Sequence, residues 1–148
     1  MAAKYSLANY IVTFSANDNR ISEIINDISI GGKDDTLDSI TISRANDLFS
    51  VTGYATGGYV FDKSLDRTGS VTLSISQLAA QIPVLKNLCQ VLESEDGEGL
   101  TITVRAAGST DAVAECIDCF PTKIPDQAFG SSSANQSWEF VCGQVNFK

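Results

Sequence analysis

The chain has 148 residues, 43% hydrophobic and 19% charged, which suits one globular domain with a proper core and not a disordered chain. Eighteen acids against ten bases give a net charge of −8, so tight phosphate-neutralising contact with nucleic acid is excluded. With no histidine, Ser-His-Asp and Cys-His nucleophile pairs and His-ligated metals are excluded too.

The N-terminus, MAAKYSLANY, has one lysine and no apolar h-region, so it does not read as a secretory signal, and no apolar run reaches the ~18–20 residues of a membrane span. The expectation is a cytoplasmic origin, with Cys89, Cys116, Cys119 and Cys142 reduced. From Tyr5 to Phe14 a short β segment is predicted around YIVTF, and SANDNR follows as a turn. Ile21, Ile24, Ile25 and Ile28 sit at helical spacing, but Ile28 and Ile30 also alternate. Isoleucine favours strands, so Ile21 to Ile30 is read as strand. GGKDD, from Gly31 to Asp35, is a loop.

DSITIS, from Asp38, alternates as a strand should. A long β-hairpin follows at about residues 47–63, with arms LFSVTGY and YVFDK. Gly57 and Gly58 at its tip can supply the positive φ of a tight turn. GSVTLSIS, Gly69 to Ser76, alternates strictly and then changes period. Leu78, Ile82, Leu85, Leu88 and Leu92 recur every three or four residues, which predicts an α-helix at about 77–92. Ser76 can cap it. Pro83 leaves two options, a separate first turn with the main helix beginning at Pro83, or a kink.

ESEDGEG, Glu93 to Gly99, is an acidic loop, since four acids at a helix C-terminus oppose the helix dipole. LTITVRA, Leu100 to Ala106, is a clear strand with Leu100, Ile102 and Val104 inward. AGSTD is a turn. AVAECIDCFPTKI is a strand ended or bent at Pro121 and Pro125, and GSSSANQ a flexible connection. The last strand, Ser137 to Phe147, is apolar on both sides, with Trp138, Phe140 and Cys142 on one and Val141, Val145 and Phe147 on the other. That pattern asks for a buried central strand or a subunit contact.

None of the chemical motifs supports an enzyme or a cofactor. CIDC has no second cysteine pair for zinc and lies in a β pattern, where positions three apart point to opposite faces, so its thiols read as small buried hydrophobes. The acidic stretches KDD and ESEDGE lack calcium-loop spacing, and ATGG and GGKDD are not phosphate loops.

The ordered series KYSL, GSVTLSIS, QLAAQIPVLKNL, LTITVR, FPTKIPDQAFG and SWEF resembles the tail tube proteins of contractile-tailed bacteriophages, and the likeness covers most of the chain. Pro83 and the four cysteines depart from that pattern. The resemblance implies a mainly β, two-sheet β-sandwich or barrel-like domain spanning 1–148 with one flanking helix, the fold also found in the hemolysin-coregulated protein of type VI secretion. It implies a structural virion protein that self-assembles into stacked hexameric rings in the host cytoplasm. Sheath, baseplate or tail-tip and terminator proteins would be its partners, and DNA would pass through the lumen without specific binding. The helix would then close one side of a β core whose other surfaces pair with neighbours. Phe49, Tyr54, Gly57, Gly58, Tyr59 and Phe61 of the hairpin and Val141, Val145 and Phe147 of the last strand are the expected inter-subunit contacts. Thr72, Ser74, Thr101 and Thr103 are expected to face the lumen, with charge from acids of adjoining loops; Arg105, on the same side, runs against a negative lumen. Two other readings stay open: another virion part, such as a sheath, completion or tip component, and a small-ligand-binding β-barrel.

Overall fold

A computed structural model describes residues 9–16, 19–25, 29–31, 37–79, 81–94, 99–106 and 111–148. The architecture is mainly β. A seven-stranded sheet curls into a half-barrel, and a second, two-stranded sheet stands apart from it. The elements run β1 (Tyr10–Ser15), α1 (Asn19–Ile25), β2 (Ser29–Gly31), β3 (Leu37–Arg44), β4 (Phe49–Gly53), β5 (Tyr59–Lys63), β6 (Gly69–Ser76), α2 (Ile82–Ser94), β7 (Leu100–Ala106), β8 (Ala112–Pro121) and β9 (Asn135–Phe147). The large sheet has the order β2-β1-β7-β8-β9-β6-β3, antiparallel at every pairing, and β4–β5 form the small sheet alone.

The alternation read in the sequence sets which face is core. Val71, Leu73 and Ile75 of β6, Leu100, Ile102 and Val104 of β7, and Trp138 and Phe140 of β9 all turn into the curl. There they join Ile82, Leu85, Leu88 and Cys89 of α2 in one cluster. Phe14 packs on Phe140 with ring centroids 5.6 Å apart, and the buried Trp138 indole N–H donates to the side-chain oxygen of Gln136 at 3.3 Å. The sheet alone would leave this apolar face wet; α2 closes it. These buried side chains form one contiguous apolar cluster between the sheet and α2.

Pro83 settles the helix start. Ser76 Oγ accepts the Leu78 N–H at 3.3 Å and its carbonyl accepts the Ala79 N–H at 3.0 Å, forming a separate turn. α2 then begins at Ile82, with Pro83 in its first turn, where a missing N–H costs nothing. Leu78 is therefore not part of the helical stripe and is exposed. The helix also continues two residues beyond Leu92, with the Ser94 hydroxyl donating to the Val91 carbonyl.

The strand reading of Ile21 to Ile30 is corrected. Asn19–Ile25 is helix, and only Ser29–Gly31 is strand. Ile21 and Ile25, one helical turn apart, are both buried, and α1 lies against α2. Tertiary packing of that stripe overrides the strand preference of isoleucine. Most of GGKDD, residues 95–98 of ESEDGEG and most of AGSTD lie outside the described residues.

Candidate functional site

The hairpin is where the chain leaves its own core. Register pairs Phe49 with Lys63, Val51 with Phe61 and Gly53 with Tyr59. Directly opposed side chains share a face. Phe49, Val51, Tyr59 and Phe61 therefore form one apolar side, while Ser50, Thr52 and Asp62, with Val60, form the other. Every residue of both strands is exposed; the four apolar ones keep 57–67% of their surface open. Tyr59 and Phe61 meet edge to face at 5.5 Å, so the apolar side is ordered within one chain. At the tip, the Tyr54 and Gly58 backbones bond at 2.9 Å, and Gly57 takes φ +90°, a value that excludes most side chains.

The root of the hairpin is fixed to the sheet. Arg44, the last residue of β3, donates from Nε and Nη2 to the Val145 carbonyl at 3.1 and 2.9 Å, and its guanidinium lies 5.4 Å from the Phe147 ring centre. On the returning side Val145 N–H donates to the Arg67 carbonyl at 2.8 Å. Asn46 Nδ2 donates to the Asp66 carboxylate, and that carboxylate also accepts the Thr68 N–H at 2.9 Å. Hydrogen bonds from Thr68, then from Asn46, hold the Asp66 carboxyl below its ordinary value.

The last strand is two-sided, but not in the way its alternation suggests. Trp138, Phe140 and Cys142 are buried, as expected, and Val141 and Phe147 are exposed. Val145 is fully buried, not exposed. The inward set changes phase between Cys142 and Val145, in step with Cys116 and Cys119 on the paired strand β8. Val145 therefore leaves the surface set; Val141 and Phe147 remain on it.

Thr72 and Ser74 alternate with buried Val71, Leu73 and Ile75, and Thr101 and Thr103 with buried Leu100 and Ile102. All four thus lie on the outer face of the large sheet. Two acids share that face from within strands: Glu139 stands opposite Thr72 and Glu115 opposite Thr103. Lys148 Nζ approaches Glu115 Oε2 at 3.8 Å. Arg105 lies on this face too, its Nε buried without a hydrogen-bond partner among the described residues.

Sequence reading missed Val51, Leu48 and Leu65. Val51 completes the apolar side of the hairpin, and Leu65, 83% exposed, lies beside its root. The alternation Phe49, Val51 against Tyr59, Phe61 carries the signal for Val51. Among the described residues no group of three or more Cys, Asp or Glu side chains could hold a metal, and no described helix is long and apolar enough to cross a membrane.

The profile of the family described as bacteriophage PhiTE tail tube protein matches residues 25–148. No curated protein matches the sequence. Solved structures share the fold at low identity. One is the sheath/tube terminator of an extracellular contractile injection system (PVC) in the extended state, with TM-score 0.58, 14% identity, and 99% of this chain and 98% of that one covered. Another comes from the anti-feeding prophage baseplate, six-fold symmetrised, with TM-score 0.57, 13% identity and coverage of 100% and 97%. A third is the cap that terminates the anti-feeding prophage tube, with TM-score 0.53, 15% identity and coverage of 100% and 94%.

Proposed function

Since the chain belongs to the bacteriophage PhiTE tail tube protein family, we propose that its copies close into six-membered rings that stack into a tube for genome delivery. The observation that carries this is the β4–β5 hairpin, an amphipathic two-stranded sheet whose apolar side nothing among the described residues covers. An isolated two-stranded hairpin is marginal in water, and an uncovered apolar patch of a few hundred Å² marks an interaction site. A neighbouring copy supplies the cover. β2 and β3 end the curled sheet without a further partner among the described strands, so further backbone pairing across the ring is open to them. Contacts of this head-to-tail kind close laterally and stay open axially. The six-fold symmetry of the similar baseplate structure supports the ring size.

In this reading the whole chain is one tube domain that acts by assembly and not by catalysis. Tyr54, Gly57, Gly58, Val141 and Phe147 join the hairpin face at the contacts. The outer face of the large sheet lines the bore. Thr72, Ser74, Thr101 and Thr103 give it neutral hydroxyls, and Glu115 and Glu139 offset the positive charges of Lys148 and Arg105 on the same face, so the bore offers phosphates no net attraction. Sheath, baseplate and terminator proteins bind the outside and ends, and assembly takes place in the host cytoplasm.

The test is negative-stain microscopy of the purified protein and of a variant in which residues 53–60 are replaced by a short Gly-Ser turn. Rings or tubes from the wild type, and a folded monomer from the variant, are expected. Tubes from both would remove the hairpin from the contact. The similarity to a terminator and a terminating cap favours one alternative, a chain that closes the tube. That protein would give single rings that do not stack.

A further inference from the structure

Three of the four cysteines are brought together by one backbone irregularity. In a regular strand Cys116 and Cys119 would point to opposite faces. Here both are buried, at 1% and 0% exposure, because Asp118 between them takes φ 56°, in the left-handed region. The surroundings are shaped for that kink. A Cβ on Gly99 would come within 2.7 Å of the Asp118 Cα, so only glycine lets the neighbouring segment pass this close. The result places Cys119 directly opposite Cys142 in the β8–β9 register, with the Cys119 thiol donating to the Cys142 sulfur at 2.8 Å. Cys116 hydrogen-bonds to Cys142 as well, although in register it faces Val145.

We propose that Cys119 and Cys142 are a redox pair that closes into a cross-strand disulfide under oxidising conditions, stapling β8 to β9 while Cys116 stays a thiol. The proposal stands apart from the tube reading. Directly opposed residues of an antiparallel pair have Cα atoms about 4.5 to 5.5 Å apart. Disulfides accept about 4.4 to 6.8 Å, so the bond forms without backbone movement. Cys116 stands opposite Val145, three register positions from Cys119, and so is not directly opposed to Cys142.

A small neutral peroxide is a sufficient oxidant. The Cys142 thiol gives up its proton, the thiolate attacks one peroxide oxygen, the O–O bond breaks, and the departing hydroxide takes that proton and leaves as water, with a sulfenic acid formed on Cys142. The Cys119 thiol then attacks that sulfur and expels a second water. Two thiols are oxidised and one peroxide is reduced to two waters. The Cys142 thiolate is scarce at neutral pH, which slows the first step. The bond from Cys116 lowers the Cys142 value, but the bond to Cys119 and burial outweigh it and leave the group at about 12.

The test uses the full chain, incubated with hydrogen peroxide, unfolded in iodoacetamide and measured by intact mass and peptide mapping. Expected are two alkylated cysteines in place of four, a Cys119–Cys142 linked peptide and a higher melting temperature that reductant reverses. Cys116→Ser and Cys89→Ser variants keep the link; Cys119→Ser loses it. Four alkylatable thiols after peroxide, a link through Cys116 or Cys89, or sulfinic acid at Cys142 without a link would each overturn the proposal.

Discussion

Replacing Phe49 and Phe61 by serine separates assembly from folding. In one chain the two rings are 57% and 64% exposed. A phenylalanine presents on the order of 200 Å², so roughly 120 Å² of each remains for a partner to cover. At about 25 cal/mol per Å² that is about 3 kcal/mol per ring and about 6 kcal/mol for the pair. Ordering and imperfect fit consume part of this. Half of it, about 3 kcal/mol, still weakens each contact roughly 100-fold. The fold itself changes by only about 0.5 kcal/mol, the usual effect of an exposed substitution. Sedimentation velocity over a concentration series reads the first quantity, and a thermal melt followed by circular dichroism reads the second. The double variant is expected to sediment as a monomer at concentrations where the wild type assembles, with an unchanged melt. Assembly at wild-type concentrations, or a melt lowered by many degrees, would refute the reasoning.

Other outcomes follow from burial and charge. Leu88, fully buried, should lose about 2–5 kcal/mol on substitution by alanine. Leu78→Ala, at a position 75% exposed, should leave a chemical melt unchanged within about 0.5 kcal/mol. Burial, then the Glu93 charge, pushes the Cys89 thiol from 9.0 up to about 11. Unfolded thiols ionise first, so stability holds below pH 9 and falls as pH rises from 9 through 11; a constant urea midpoint across that window would contradict this. If Thr72 and Thr103 line the bore, tubes carrying lysine at both should retain DNA on filters at ~50 mM salt and release it by ~200 mM, while wild-type tubes retain none. Equal retention by both would place those residues elsewhere.

The strands were legible where one face is core and the other polar. GSVTLSIS and LTITVRA needed only their alternation, and the hairpin only its two arms and glycine tip. Ser76 and Pro83 together marked the break before α2. Ile21–Ile30 misled because isoleucine at helical spacing carries both signals, and only the proximity of α2 decides between them. The CIDC thiols are buried small side chains, as read, but the expected opposite facing of Cys116 and Cys119 and the outward placing of Val145 failed for one shared reason. The left-handed turn at Asp118 shifts the inward phase of β8 and β9 together, and Asp118 sits in an otherwise ordinary β pattern. Glu115 and Glu139 stand within strands, opposite the threonines, and escaped notice because cross-strand register is not written in a single strand; the acidic loop residues Asp34, Asp35, Glu95, Asp96 and Glu98 lie outside the described residues.

The most direct test of the account is a cryo-electron reconstruction of the assembled protein, read at the β4–β5 hairpin. The account predicts six copies per ring, with Phe49, Val51, Tyr59 and Phe61 buried against an adjacent copy. Rings or tubes in which that apolar side faces solvent, or a protein that stays monomeric at high concentration, would contradict it.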